Sequence, residues 1–215
     1  MSKNISIKVE KVSIKKVKTS LLISGKFKDE KVNKSLYDLL GTTLKNAFNT
    51  DSFKGDFGKK INLFSNGKIN KFSFYGLGEK NKLDSNKLRS LAANIVRNIE
   101  LNKISSVTID SNSFGLSNSL NAQAFTEGLL LGQYKFLDYK SKKTDFSLNE
   151  VTFIGDVDLK SLSKGQVIGQ SVNYARDLGN HPANFLTPTY LANEAKEISK
   201  TKNFKIKVID VKEFE

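Results

Sequence analysis

The apolar residues change period along this chain, and that change limits the folds it can take more than any other feature. Ile5, Ile7 and Val9 alternate with polar residues, as Val12 and Ile14 do, which is the period-two mark of half-buried strands. Leu21, Leu22 and Ile23 ahead of Gly25 read as a buried strand. From Val32 the spacing becomes helical, with Leu36, Leu40, Leu44 and Ala47 on one stripe and Gly41 as its weak point. The glycine-bearing stretch from Asp51 to Lys60 reads as a loop. Ile61 to Phe64 and Phe72 to Tyr75 read as strands joined at Asn66-Gly67. A helix capped by Asp84 or Ser85 then carries Leu88, Leu91, Ala92, Ile95 and Ile99 on one face. Strand Val107 to Ile109, a helix from Ser119 to about Tyr134, and strand Val151 to Ile154 follow. In that second helix Gly128 and Gly132 permit a close neighbour. Strands alternating with helices predict an α/β fold: a layered domain with a partly parallel sheet and helices on both faces.

Beyond Asp158 the character shifts. A helix from about Ser161 to Leu178 is expected, then a Pro-containing corner, Asn180 to Pro188. Thr187 should cap a further helix with Pro188 in its first position and Leu191, Ala195 and Ile198 as its apolar face. Phe204, Ile206 and Val208 alternate like a strand. The expected organisation is a domain over 1–158, a connecting helix and corner over 159–184, and the truncated start of a second α/β domain over 185–215.

Composition removes several kinds of chemistry. With no Cys there is no disulfide, thiolate metal site or thiol nucleophile, which suits a reducing, cytoplasmic setting. Met1 to Lys18 lacks the apolar run of a signal peptide, and no stretch reaches membrane-spanning length. The net charge of +13 raises nucleic acid as a partner. Only Arg89, Arg97 and Arg176 are arginines, however, whereas phosphate and base recognition favour the guanidinium fork. Ten lysines against three acids between Met1 and Lys34 therefore predict weak, non-specific association that fades with salt.

Each local motif has a plain structural reading. Gly76-Leu77-Gly78 follows a strand, but Asn81 stands where a dinucleotide fingerprint needs its third glycine, so a strand-to-loop turn is expected. No GxxxxGK[ST] loop occurs. His181, the sole histidine, stands before Pro182 in a corner and reads as a turn residue. Asp156 and Asp158 share a strand spacing and read as turn acids. Tyr134, Phe136 and Tyr139 among Lys135, Lys140, Lys142 and Lys143 fit either a single-strand binder or a helix end running into an anchored loop.

Two longer segments point to a family. Phe125-Thr126-Glu127-Gly128-Leu129-Leu130-Leu131-Gly132-Gln133-Tyr134-Lys135-Phe136, continuing to Tyr139-Lys140-Ser141-Lys142-Lys143, is similar to the EGLLLGxYxFxxYKSKK-like segment of leucyl aminopeptidases, also called cytosol aminopeptidases. Ala175-Arg176-Asp177-Leu178-Gly179-Asn180-His181-Pro182-Ala183-Asn184, then Leu186-Thr187-Pro188, resembles their ARDLxNxPxNxLTP segment. Tyr75-Gly76-Leu77-Gly78 with Leu88-Arg89 matches a weaker GLG…LR element.

The resemblance implies a three-layer α/β/α, macro-domain-like amino-terminal domain with a mixed sheet, a connecting helix and a larger carboxy-terminal peptidase domain. It also implies a cytoplasmic homohexamer that removes amino-terminal residues, notably leucine, from peptides with two divalent metals: zinc, manganese or magnesium. The ligand segments of that family, VGKGxxFDxGG and NTDAEGR, do not occur in this sequence. No catalytic, metal or cofactor residue is therefore carried over. Arg176, Asn180, Pro182, Asn184 and Pro188 take structural roles at the junction, and His181 departs from the acid usual there. The expected function is the non-catalytic amino-terminal portion of such a metallopeptidase, inactive alone, supplying oligomer contacts and shaping access to the active site. The alternative is a stand-alone basic module for nucleic acid or a nucleotide-like ligand; a third reading is an interaction protein using the surface a missing domain leaves bare. No membrane partner is expected.

Overall fold

The computed structural model describes residues 5–49, 53–142, 147–202, 204–209 and 213. By contact the chain divides into two compact units, Met1–Asn173 and Tyr174–Glu215. The first holds a six-stranded sheet in the order β1-β6-β5-β2-β4-β3. Its strands are β1 Ser6–Glu10, β2 Thr19–Phe27, β3 Lys60–Phe64, β4 Ile69–Gly78, β5 Ser106–Asp110 and β6 Glu150–Ile154. Only β3 against β4 is antiparallel, across the turn holding Asn66-Gly67, so the sheet is mixed. Its helices are α1 Lys34–Asn49, α2 Ser85–Leu101 and α3 Ser119–Gln133. The long α4, Leu159–Asn180, begins where the first domain was expected to close, and the division between the units falls inside it, after Asn173.

The strand register explains where the layers lie. One row across the sheet runs Lys8, Thr152, Thr108, Leu22, Phe72, Leu63, polar over β1-β6-β5 and apolar over β2-β4-β3. The next row, whose side chains point to the other face, runs Val9, Phe153, Ile109, Ile23, Ser73, Asn62, with the polarity reversed. Helices cover only the apolar halves. α1 places Leu36, Leu40 and Leu44 on Leu22, Phe72 and Phe74. On the opposite face α2, α3 and Leu162 of α4 pack over Ile23, Ile109 and Phe153. The expected helices on both faces are present, each over about half of the sheet.

Local chemistry sets the helix limits. Asp84 accepts a hydrogen bond from the Lys87 amide and starts α2. Lys103, with φ of 53°, ends it in the left-handed region while the Ile104 amide donates back to Ile99. Gly41 breaks the regular path of α1 with φ 51° and ψ −126°. The close approach expected at Gly128 is real, for an added Cβ would stand 2.2 Å from the Arg89 carbonyl oxygen of α2. At Gly132 the nearest atom would be the Ala93 Cα, at 2.6 Å. Phe125, fully buried between Phe114 and Phe153, centres this side of the core. A phenylalanine buried that way contributes about 1.5–3 kcal/mol from its apolar area.

Two strand expectations are corrected. Ile14 lies in a 3₁₀ turn, Ile14–Lys16, and with Val17 it buries into the cluster under α1. The alternation there reflects a short crossover whose apolar residues reach the sheet without joining it. Phe204, Ile206 and Val208 form no strand: residues 204–209 are irregular and those three side chains exposed. Alternating apolar residues make a strand only where another strand supplies hydrogen bonds, and none does among the described residues. Thr187 and Pro188 act as expected, with α5 at Pro188–Lys202, Pro188 in its first position, and the Thr187 hydroxyl accepting from the Tyr190 amide, but Leu191 of the expected apolar face is exposed.

Candidate functional site

Open α/β sheets present ligands at the carboxyl ends of neighbouring strands whose following helices leave to opposite faces. β2 and β5 meet that condition, since α1 follows β2 on one face and α3 follows β5 on the other. A crevice of about 360 Å³ opens there, lined among others by Ser24, Lys26, Phe27, Asp110, Ser113 and Asn121. Asp110 is buried at the end of β5. The Ser24 hydroxyl donates to its carboxylate at 3.1 Å, and the Ser113 hydroxyl donates to its carbonyl at 2.7 Å. Burial raises the Asp110 carboxyl above the usual carboxylate range, opposed by the Ser24 hydroxyl and the Ser113 and Asn112 amides. Burial likewise lowers Lys26, whose ammonium donates to the carbonyls of Phe27 and Glu30. This is a site of hydrogen-bond donors and acceptors suited to binding. Asp110 is not among the residues expected above, and its one signal in the sequence is an acid directly after the apolar run Val107 to Ile109.

The residues singled out from the sequence are dispersed and mostly structural. Gly76 and Gly78 close β4, and an added Cβ at Gly76 would meet the Asp56 carbonyl oxygen at 2.0 Å, so backbone fills the space a phosphate would need. Asp158 caps α4, accepting from the Ser161 amide at 3.0 Å and the Ser119 hydroxyl at 2.6 Å, and these bonds hold its carboxyl below its ordinary value. The Asp156 amide donates to the Asn112 side chain. His181 packs its ring 4.4 Å from that of Phe185. Lys135 turns inward to the half-buried Glu100 at 2.8 Å, and Glu100 also accepts from the Ser147 and Leu148 amides. The aromatic-basic stretch is thus anchored at its start. Among the described residues no three of His, Cys, Asp and Glu are grouped to hold a metal ion. The described residues supply no such cluster for the two metals that the resemblance implies for the parent.

The family-like segments work as packing devices. Arg89, from the GLG…LR element, holds Glu127 of the EGLLLG-like segment with its Nε at 2.7 Å, and Gln123 donates to the other Glu127 oxygen at 2.8 Å. This pair clamps α2 to α3 where Gly128 brings them together. In the second unit, the Tyr174 hydroxyl donates to Glu194 at 2.7 Å, which pushes its pKa up to about 12 and ties α4 to α5 beside the corner.

Comparison with known proteins agrees with this picture. Residues 23–143 fit the model of the cytosol aminopeptidase family, N-terminal domain. A probable cytosol aminopeptidase of Aquifex aeolicus is 33% identical over 168 residues, covering 77% of this chain and 34% of its own. One from Persephonella marina is 29% identical over 225 residues, 98% of this chain and 45% of that relative. Among solved structures, a tomato leucine aminopeptidase mutant superposes with a TM-score of 0.80 at 20% identity, over 99% of this chain and 46% of its own. The cytosol aminopeptidase from Coxiella burnetii gives 0.64 at 17% identity, over 96% and 40%. At those identities the structures share the fold. The chain spans less than half the length of the curated relatives it matches. No helix among the described residues is long and apolar enough to cross a membrane.

Proposed function

The chain belongs to the cytosol aminopeptidase family, whose amino-terminal domain it contains, and from that premise we propose that it is the non-catalytic portion of a metal-dependent leucyl aminopeptidase. The parent removes amino-terminal residues from peptides in the cytoplasm, as a homohexamer using two divalent metals of the manganese, zinc or magnesium class. This portion supplies subunit contacts and shapes access to an active site formed by the rest of the parent. Residues 1–158 are its amino-terminal domain, 159–184 connect, and 185–215 open the peptidase domain.

The observation that carries the proposal is the match of residues 23–143 to a domain that is amino-terminal by definition. A two-metal hydrolase needs several converging ligands, so the pure 215-residue chain should release no chromophore from a leucyl anilide in manganese, zinc or magnesium. The full-length parent should do so in the same buffers. Metal-dependent turnover by the 215-residue chain alone would overturn the assignment.

A further inference from the structure

Among the described residues no helix covers the sheet face beside α1 over β1, β6 and β5, and the chain that crosses it is unusually slight. Parallel strands separated by others are normally joined by a helical crossover of a dozen or more residues. Here β1 joins β2 through residues 11–18 alone, with one 3₁₀ turn whose Ile14 and Val17 touch the sheet. A depression of about 550 Å³ remains beside this crossover. Its floor includes Ser106, Thr108 and Thr152, Lys16 and Lys18 come from the crossover, and Lys68 comes from the turn before β4.

The charge in this depression is unbalanced. Of its two acids, Glu150 is paired with Lys8, which leaves Glu10 against three lysines. Lys15 is paired with Asp38, but Lys16, Lys18 and Lys68 have no ion pair among the described residues. The hydroxyls of Ser20, Ser106 and Thr152 also make no hydrogen bond among them, so they remain available as donors. No aromatic ring lines the depression, so it offers nothing for a nucleobase to stack on. Its volume lies within the range of small-molecule sites.

We propose that this open sheet face binds a small oligophosphate anion, held by Lys16, Lys18 and Lys68 across the rim and by Ser106 and Thr152 from the floor. The proposal is independent of the peptidase assignment. It gives the basic amino-terminal segment a definite site rather than a diffuse field.

Isothermal titration of the 215-residue chain with tripolyphosphate tests it. One equivalent should bind, and the triple variant Lys16→Gln/Lys18→Gln/Lys68→Gln should weaken binding by about tenfold, as expected for losing three surface charge contacts. Thr152→Val, which leaves the charge unchanged, should weaken it by about threefold, near the low end for one hydrogen bond. A control triple, Lys87→Gln/Lys160→Gln/Lys164→Gln, removes equal charge elsewhere and should bind as the parent chain does. Thermal midpoints of all variants report that each is folded. Equal loss in both triples, or no binding, would overturn the site. Displacement of tripolyphosphate by a short DNA duplex of higher affinity would overturn the choice of occupant.

Discussion

The unit ending at Asn173 and the unit beginning at Tyr174 both carry apolar stripes at helical spacing, yet their burial differs. In the first, the stripes of α2 and α3 close against the sheet, and Leu88, Ile95, Phe125 and Leu129 are all fully buried. In the second, Phe185, Leu191, Phe204, Ile206, Val208 and Ile209 remain exposed. Amphipathic pattern states which side of an element seeks cover, while burial states whether cover was found. In the first unit the sheet-facing stripes of α2 and α3 are covered, although Phe64, Leu101 and Leu120 outside them stay exposed. The second leaves Leu191 of α5 and the apolar residues of 204–209 in solvent among the described residues.

The sharpest way to break this comparison is a pair of truncations. Phe125→Ala, in the packed core, should cost about 3–5 kcal/mol, from lost transfer energy and the cavity left behind. Leu191→Ala, 48% exposed on α5, should change stability by less than about 0.5 kcal/mol. Urea unfolding followed by circular dichroism measures both, and similar losses would erase the distinction. Next in size is Gly128→Ala, which forces α2 and α3 apart because the new methyl meets the Arg89 carbonyl. It should cost about 1–3 kcal/mol in the same assay, as overpacked cores do; an unchanged midpoint would show that the interface yields freely.

A smaller effect should follow pH. Burial alone would raise the Glu100 carboxyl, but the bonds from Lys135 and the Leu148 and Ser147 amides outweigh it and hold the group below its ordinary value of 4.5. A lowered carboxylate stabilises the fold above its unfolded value, and that contribution is lost as pH falls through the folded value. Glu100→Gln should therefore cost about 1.5 kcal/mol at neutral pH, in line with a lost hydrogen bond to a charged group. The gap between variant and parent chain should close as pH drops below about 4.5. A gap that is constant with pH would assign the loss to packing instead of charge.

Much of the first unit was legible because its signals are local. Asp84 announces α2 by cap chemistry, and Gly128 and Gly132 fall one helical turn apart on a buried face. What the sequence did not disclose lies in pairings between distant segments. The Arg89–Glu127 clamp and the Ser24–Asp110 bond join residues 38 and 86 positions apart, which no periodicity encodes. The uncovered half of the sheet was hidden for a related reason. Ser106, Thr108, Glu150 and Thr152 alternate with apolar residues, but only the register shows that they form one polar row beneath a slight crossover, with Thr108 buried under it. The failed strand at Phe204 to Val208 completes the lesson, because alternation gives sidedness and says nothing of a partner ladder.

Amide hydrogen exchange of the 215-residue chain tests the contrast between the two units most directly. The account predicts that amides in β5, α2 and α3 exchange only through opening near the global unfolding free energy, whereas those of α5, Pro188–Lys202, exchange orders of magnitude faster through local opening. Protection of α5 equal to that of α3 would contradict it, for the second unit would then be as complete in itself as the first.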